Sequence, residues 1–297
     1  MHASKSTPVG PSRVKLGLIG DNIARSQSPR LHRLAGRMCG LDVSYASLIP
    51  ADLGMNFDQV FERCRTDGFR GVNITYPYKE TVIDKVRIDD PTVRALGACN
   101  TILFEQDGPR GFNTDSSGFA SAFVSAFGSV APGRVTMAGA GGVGKAIAFA
   151  LGKLGATHLA LVDPDQSKSA ALAASLAAYF PNLDISRPET LAEAVDGADG
   201  LINSTPIGMV GHDGNVFDGL DLKHSRWAFD AVYTPVETQF LAAARTAGAE
   251  ILSGYELFFH QGAHAFRLFT GQEPDEGALR TAMLAPEQCD AGRAYVA

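Results

Sequence analysis

Apolar residues fall along the chain in short runs separated by longer amphipathic stretches. Residues 14–20, 43–49 and 69–75 are compact apolar runs bounded by Gly, Pro or polar loops, the pattern of buried strands. Between them, 31–40 and 57–64 carry apolar residues at helical spacing, and Pro29 stands where a first helical turn tolerates it. A third helix is expected over 79–86, after the break at Tyr76 and Pro77. This strand–helix alternation predicts parallel strands joined by right-handed crossovers. Residues 1–12, rich in Ser, Pro and Gly, read as a flexible tail.

A second cycle begins near Ser117. Residues 118–127 predict an apolar helix bridging two domains, 128–133 a linker and 134–139 a fresh strand. Helices are expected at 143–154, 166–180 and 190–196, and strands at 158–163, 200–204, 227–232 and 250–252, with a short segment at 183–186. Helices 255–270 and 276–285 close the chain. The pattern predicts an α/β protein of two domains. One is an N-terminal α/β domain with a mostly parallel sheet over 13–116, onto which helices within 255–285 are expected to pack back. The other is a second α/β domain over 117–254.

Composition narrows the classes of function. A chain of 297 residues has room for two domains of about 150 residues each. The formal net charge of −6 leaves no basic surplus for a nucleic-acid partner. Cys39, Cys64, Cys99 and Cys289 are scattered without a CxxC pair, which suits a reduced, cytoplasmic protein. No apolar run approaches the roughly 18 residues of a membrane span. The expected partner is a small molecule, and the chain is expected to be a monomer or a homodimer.

The most specific local signal is VTMAGAGGVGKAIAFAL, in which Gly139, Gly141 and Gly144 fit GxGxxG between a strand and a helix. Gly139 allows a tight turn, Gly141 lets the backbone approach a pyrophosphate, and Gly144 lets helix and strand pack closely; Gly142 opens the helix whose free N–H groups favour phosphate. Asp163 stands about 20 residues on, where an acid accepts from ribose hydroxyls and repels a 2′-phosphate. The segment PDQSKS that follows contains no arginine. NAD is therefore the preferred cofactor, with NADP the alternative. His260 and His264 stand four apart, but no third ligand accompanies them and no metal is expected; His32 reads as structural.

Four other stretches place polar residues at strand ends beside Gly or Pro: 26–29, 73–79, 97–101 and 111–115. Singly, each has a plain structural reading as a helix cap or turn residue. Together, SxSPxxH, NxTxPxKE, GAxNT, NTDxxGF, GAGGxxxA, NSTPxGM and a late HQGAHAF occur in the order seen in the shikimate dehydrogenase family, which the chain resembles from about residue 14 to 275. The resemblance implies an α/β substrate domain facing a Rossmann domain across a cleft, and an enzyme that interconverts a ring alcohol and a ketone with NAD or NADP. By that resemblance Lys79 and Asp115 are the catalytic pair, and Ser26 and Ser28 hold the substrate carboxylate near Tyr233. Thr75, Asn100 and Gln261 meet ring hydroxyls, while Asn203, Thr205, Met209 and Gly254 surround the cofactor.

The chain also departs from that pattern. Asp163-Pro164-Asp165 resembles the NAD-using quinate/shikimate branch, whereas Ser28 resembles shikimate-selective members. Arg33 stands where the family's SPxxHN stretch has Asn, and Ser116 follows Asp115 where the family has glycine. Oxidation of an alcohol needs a hydride acceptor and a base; Lys79 and Asp115 are expected to act as one coupled unit, with ownership of the proton open. The expected reaction interconverts shikimate and 3-dehydroshikimate, and by extension quinate and 3-dehydroquinate. The alternatives are a dehydrogenase of another cyclic hydroxy acid, such as an aminated shikimate analogue, and a non-catalytic NAD-binding sensor.

Overall fold

The computed structural model describes residues 12–286, so the tail expected over 1–12 and Cys289 fall outside the described residues save for Ser12. In chain order the first unit holds β1 (Arg13–Ile19), α1 (Ser28–Met38), β2 (Asp42–Leu48), α2 (Phe57–Thr66), β3 (Gly71–Ile74), a 3-10 turn (Thr81–Lys85), α3 (Pro91–Leu96), β4 (Thr101–Glu105) and β5 (Gly108–Phe112). Its sheet has five strands in the order β2-β1-β3-β4-β5. The pairs β1–β2 and β1–β3 are parallel, while β3–β4 and β4–β5 are antiparallel. Periodicity resolves the parallel half but not the β4–β5 hairpin, whose second strand GPRGF has too little apolar alternation to read as a strand.

The remaining elements are α4 (Thr114–Phe127), β6 (Arg134–Ala138), α5 (Gly142–Lys153), β7 (His158–Val162), α6 (Gln166–Tyr179), β8 (Asp184–Ser186), β9 (Gly200–Asn203), β10 (Trp227–Asp230), α7 (Gln239–Thr246), β11 (Glu250–Ser253), α8 (Gly254–Thr270) and α9 (Glu276–Leu284). The second sheet has six strands, all parallel, in the order β11-β10-β9-β6-β7-β8. Numbered from β6, this is the 3-2-1-4-5-6 order of doubly wound dinucleotide folds, with its switch point between β6 and β9. Ligands of such sheets bind beyond the carboxyl ends of the strands at that point.

Two expected helices differ in the structure. The helix at 79–86 is a 3-10 turn over Thr81–Lys85, held by Val82 N–H donating to the Tyr78 carbonyl and Ile83 N–H to that of Glu80. The helix at 190–196 is a single turn: Ala194 and Val195 N–H both donate to the Leu191 carbonyl, and of the segment only Val195 is buried. With so little apolar surface to bury, nothing repays helix nucleation there. Conversely, α3 forms where no helix is predicted. Asp90 caps it through Thr92 N–H, Pro91 opens it, and Gly97 ends it in the left-handed region at φ 68°.

The C-terminal helices return to the first sheet. Phe258, Phe266, Phe269, Leu279 and Met283 from α8 and α9 share one buried cluster with Leu16, Leu31 and Tyr45. On the opposite face Phe57, Phe61 and Val82 pack over Val72 and Ile102. α4 joins the two units: Phe119 and Phe123 are buried with Phe229 and Trp227 of the second sheet, and Gly118 brings α4 so near α8 that a Cβ there would lie 2.7 Å from Gln261 N. Among the described residues no helix is long and apolar enough to cross a membrane.

Candidate active site

The carboxyl ends of both sheets face one cleft. From the first sheet, the turn after β3 brings Lys79 to Asp115 in the first turn of α4, with Lys79 Nζ donating to Asp115 Oδ2 at 2.7 Å. The two side chains are 16% and 7% exposed, so the pair is shielded yet reachable. Its frame is rigid: Cys99 N–H donates to the Lys79 carbonyl at 2.9 Å, and the Asn113 side chain caps α4 through Ser116 N–H at 3.0 Å. Asp115 also sits at the positive end of α4, where a carboxylate is favoured.

Ser26, Ser28 and Thr75, picked out in the sequence, follow the carboxyl ends of β1 and β3, and Asn100 precedes β4 at the same end of the sheet. Ser26 follows β1, and Ser28 is the first residue of α1; Ser26 Oγ donates to Ser28 Oγ at 3.1 Å and accepts from Ser28 N–H at 3.2 Å. The first turn of α1 carries no acidic residue, but Ser28 N–H is spent on Ser26 Oγ, Pro29 has none and Leu31 N–H bonds the Gln27 carbonyl, so the two serine hydroxyls are the main donors here for a carboxylate. Tyr233 stacks on Phe258 with ring centroids 5.2 Å apart. Burial pushes the Tyr233 phenol above its ordinary range, and the Ser26 hydroxyl beside it pulls the other way. Asn100, 3% exposed, accepts from Thr114 N–H at 2.7 Å and extends its amide towards Gln261 Oε1 at 3.4 Å. Thr75 follows β3 directly, its N–H donating to the Ile19 carbonyl.

A buried polar layer supports these groups, and sequence reading did not single it out. Tyr45 donates to Asn73 Oδ1 at 2.8 Å, Asn73 donates to Thr101 Oγ1 at 3.0 Å, and Thr101 meets Thr114 Oγ1 at 3.1 Å. Asn73 and Thr114 stand inside the very stretches that mark the site, but their polar atoms are spent on bonds within this layer, which sequence does not show.

The second sheet supplies the glycine loop. Gly139 has φ 96°, and a Cβ on Gly144 would lie 2.7 Å from the Gly139 carbonyl oxygen. A Cβ on Gly141 would meet nothing within 4 Å, and the first turn of α5 has no acidic residue. This open, positively polarised helix end fits a dinucleotide pyrophosphate, with the N–H groups at Gly141 and Gly142 to hold it. Asp163 accepts from Ala140 N–H at 2.7 Å through Oδ2 and from Asp165 N–H at 2.8 Å through Oδ1. The carboxylate braces the glycine loop and keeps a lone pair on each oxygen for ribose hydroxyls. Across the cleft, a Cβ on Gly142 would lie 3.4 Å from Lys79 Cδ, so the catalytic candidate leans on the cofactor helix.

Asn203, Thr205 and Met209 lie at and beyond the end of β9, and their arrangement refines their expected place. Asn203 is 1% exposed; its Nδ2 donates to the Ile207 carbonyl at 2.8 Å and to Asp230 Oδ1 at 3.0 Å, while its Oδ1 accepts from Thr205 N–H and Oγ1. That side chain has no hydrogen left for a cofactor. Gly254 is likewise buried, and a Cβ there would lie 2.5 Å from the Ala231 carbonyl oxygen, so its role is close packing of α8 on the 231–232 turn. His264 Nδ1 lies 2.8 Å from Ser117 Oγ and His260 Nδ1 lies 3.8 Å from Glu276, which engages both rings in helix packing.

Known proteins share this arrangement. A family model described as the shikimate dehydrogenase substrate binding domain matches residues 18–102, and one described as the shikimate 5′-dehydrogenase C-terminal domain matches 254–284. An NADP-dependent shikimate dehydrogenase of Arthrobacter sp. (strain FB24) is 38% identical over 274 residues, spanning 91% of this chain and 94% of that protein. The chain belongs to the shikimate dehydrogenase family. As a member it is an NAD(P)-dependent oxidoreductase. An NAD-dependent quinate/shikimate dehydrogenase of Corynebacterium efficiens, 36% identical, covers 91% of this chain and 98% of its own length. Among solved structures of the family, quinate dehydrogenase from Corynebacterium glutamicum in complex with NAD superposes with a TM-score of 0.84 at 34% identity, covering 92% of this chain and 99% of that one.

Proposed function

We propose that the protein interconverts shikimate and 3-dehydroshikimate, and quinate and 3-dehydroquinate, with NAD preferred over NADP. The observation that carries the reading is the shielded Lys79–Asp115 pair, 2.7 Å apart, with the Lys79 stem beside Gly142 of the cofactor helix. Residues 13–116 with 255–285 form the substrate domain in this reading, and 117–254 the dinucleotide domain. Ser26, Ser28 and Tyr233 take the substrate carboxylate, and Thr75, Asn100 and Gln261 take ring hydroxyls.

Bound NAD(P) supplies the hydride acceptor or donor. Lys79 and Asp115 handle the other half of the reaction: as the carbinol is oxidised its hydroxyl proton passes to the pair, and in reduction the pair returns it to the carbonyl oxygen. Their 2.7 Å contact lets the two side chains handle the proton as one unit. The two serine hydroxyls and Tyr233 fix the far end of the ring, which orients the reacting carbon. Support for NAD comes from Asp163, which braces the glycine loop through Ala140 N–H and whose carboxylate would meet a 2′-phosphate there with like charge.

Steady-state kcat/KM for shikimate and for quinate, each with NAD and with NADP and followed at 340 nm, tests the reading. Turnover of both acids with NAD favoured supports it throughout. Shikimate alone narrows the substrate, NADP preference reverses the cofactor reading, and no turnover of either acid removes the assignment.

A further inference from the structure

Asp230 is an acid at the end of an otherwise apolar strand, and it is fully buried at 0% exposure. Its three hydrogen-bond partners are neutral donors from three different places. Asn203 Nδ2 and Val232 N–H both donate to Oδ1 at 3.0 Å, and Thr238 Oγ1 donates to Oδ2 at 2.6 Å. Burial raises its carboxyl to about 6, against the pull of those three donors. A carboxylate without a cation in such a place costs stability. Packing alone offers no reason for an acid here.

The partners supply a reason. Asn203 and Asp230 are register neighbours at the carboxyl ends of β9 and β10. Through Asn203 the carboxyl group controls the loop after β9: Asn203 holds Thr205 N–H, Thr205 Oγ1 and the Ile207 carbonyl, and Met209 N–H closes on the Pro206 carbonyl. Through Val232 N–H and Thr238 it controls both ends of the loop that carries Tyr233, Thr238 being the cap of α7. The two loops also touch, Val210 N–H donating to the Thr234 carbonyl at 3.3 Å. One loop carries the cofactor-side residues Thr205 and Met209, and the other carries the substrate-side Tyr233.

We propose that Asp230 is a positioning residue for hydride transfer: its carboxyl group fastens the cofactor-side loop to the substrate-side loop and so sets the spacing between the reacting carbons. The proposal rests on the dehydrogenase reading above and adds to it a residue that touches neither ligand. The geometry of the carboxyl group, not its charge, is what the span requires. An amide at this position keeps all three bonds, since its oxygen accepts from Asn203 and Val232 while its nitrogen donates to Thr238 Oγ1.

The test compares Asp230→Ala, Asp230→Asn, Thr238→Val and Thr238→Ser with wild type. The readouts are kcat, KM, the kcat isotope effect with shikimate deuterated at the carbinol carbon, and NAD affinity by calorimetry. Misplacement of about 1 Å costs on the order of 100-fold in rate, so Asp230→Ala is expected to lose kcat on that scale with a larger isotope effect. NAD affinity should stay within about threefold, because the glycine loop holds the pyrophosphate independently. Asp230→Asn should recover most of the rate, and Thr238→Ser should outperform Thr238→Val. The threonine pair decides the matter where Asp230→Ala does not fold. Unchanged kcat and isotope effect in Asp230→Ala, equal damage in Asp230→Asn, or equal behaviour of the threonine variants overturns the proposal. A wild type inactive on both acids removes the dehydrogenase reading and the proposal with it; an active wild type beside an equally active Asp230→Ala overturns the proposal alone.

Discussion

Lys145 Nζ lies 2.8 Å from Glu80 Oε2, an ion pair that joins the helix of the glycine loop to the residue next to Lys79. Lys145 is 17% exposed and Glu80 51%, so the pair sits at the cleft edge, where an isolated ion pair contributes roughly 0.2–1 kcal/mol. Its importance lies in what it connects, since Lys79 and Gly142 meet directly behind it. Glu80→Lys and Lys145→Glu should each lower kcat/KM by about three- to tenfold, with the double exchange restoring it to within about threefold. Rising ionic strength should weaken the wild type in the same direction. If the exchange fails to restore activity while Lys145→Glu alone weakens NAD binding, Lys145 serves phosphate and not Glu80.

The Lys79–Asp115 contact makes a sharper claim about rate. Lys79→Ala should lower kcat by on the order of 10²–10⁴-fold, the range for losing a positioned proton donor or acceptor. NAD affinity should change little, because Lys79 touches Gly142 only through its aliphatic stem. Single-turnover kinetics beside a calorimetric NAD titration separate the two effects. A variant as fast as wild type removes the pair from the mechanism.

Two glycines of one loop should both matter for NAD but differ in their effect on stability. At Gly144 a Cβ would press on the Gly139 carbonyl oxygen at 2.7 Å and on Ser204 Oγ at 2.8 Å, so Gly144→Ala should lower Tm and NAD affinity together. At Gly141 a Cβ meets nothing within 4 Å. Gly141→Ala should therefore keep wild-type Tm and lose NAD affinity by about tenfold or more, since the methyl group stands where the pyrophosphate approaches. Equal NAD affinity in Gly141→Ala would remove this face of the loop from the cofactor site.

Asp163 braces Ala140 N–H, and in the proposed reading it also meets the ribose hydroxyls. Asp163→Asn keeps an acceptor for Ala140 and removes the charge. The ratio of kcat/KM for NAD to that for NADP should fall by about tenfold or more, chiefly through NADP improving as like-charge repulsion disappears. An unchanged ratio in a variant of unchanged Tm would place the discrimination elsewhere.

Much of this was legible in sequence because glycine and the strand–helix period leave local marks. The loop at 139–144 and its acid at 163 need no tertiary information, and the order of short polar motifs marks the substrate side. What periodicity missed depends on distant partners. Strand β5 is paired by β4 on one side and by Arg87, through its bonds to Pro109 and Gly111, on the other. Asn203 and Gly254 carry family motif positions, yet only packing shows that Asn203 spends its amide on Ile207 and Asp230 and that Gly254 gives way to Ala231. Asp230 had a visible signal, an acid inside WAFDAV, but its partners are 27 residues away at Asn203 and 8 away at Thr238.

Acid stability follows from two buried groups of opposite sign. His32 is 1% exposed and stacks on Tyr45 with ring centroids 4.8 Å apart; burial lowers its pKa to about 3, with the Asn73 side chain pulling the other way. The unfolded chain binds a proton near pH 6.5 that the native state refuses, so this contribution is complete above pH 6.5 and is lost as pH falls towards 3. At full extent it is on the order of 5 kcal/mol. Asp230 acts in reverse: raised to about 6, it favours the native state as pH falls from 6 towards 4, with a smaller shift and a smaller effect. Urea unfolding between pH 4 and 8 should thus show stability falling with acid in the wild type. His32→Phe, placed among Tyr45, Phe266 and Phe269, should flatten that fall, and Asp230→Asn should steepen it. A His32→Phe variant that loses stability along the wild-type curve would show that the acid limb arises elsewhere.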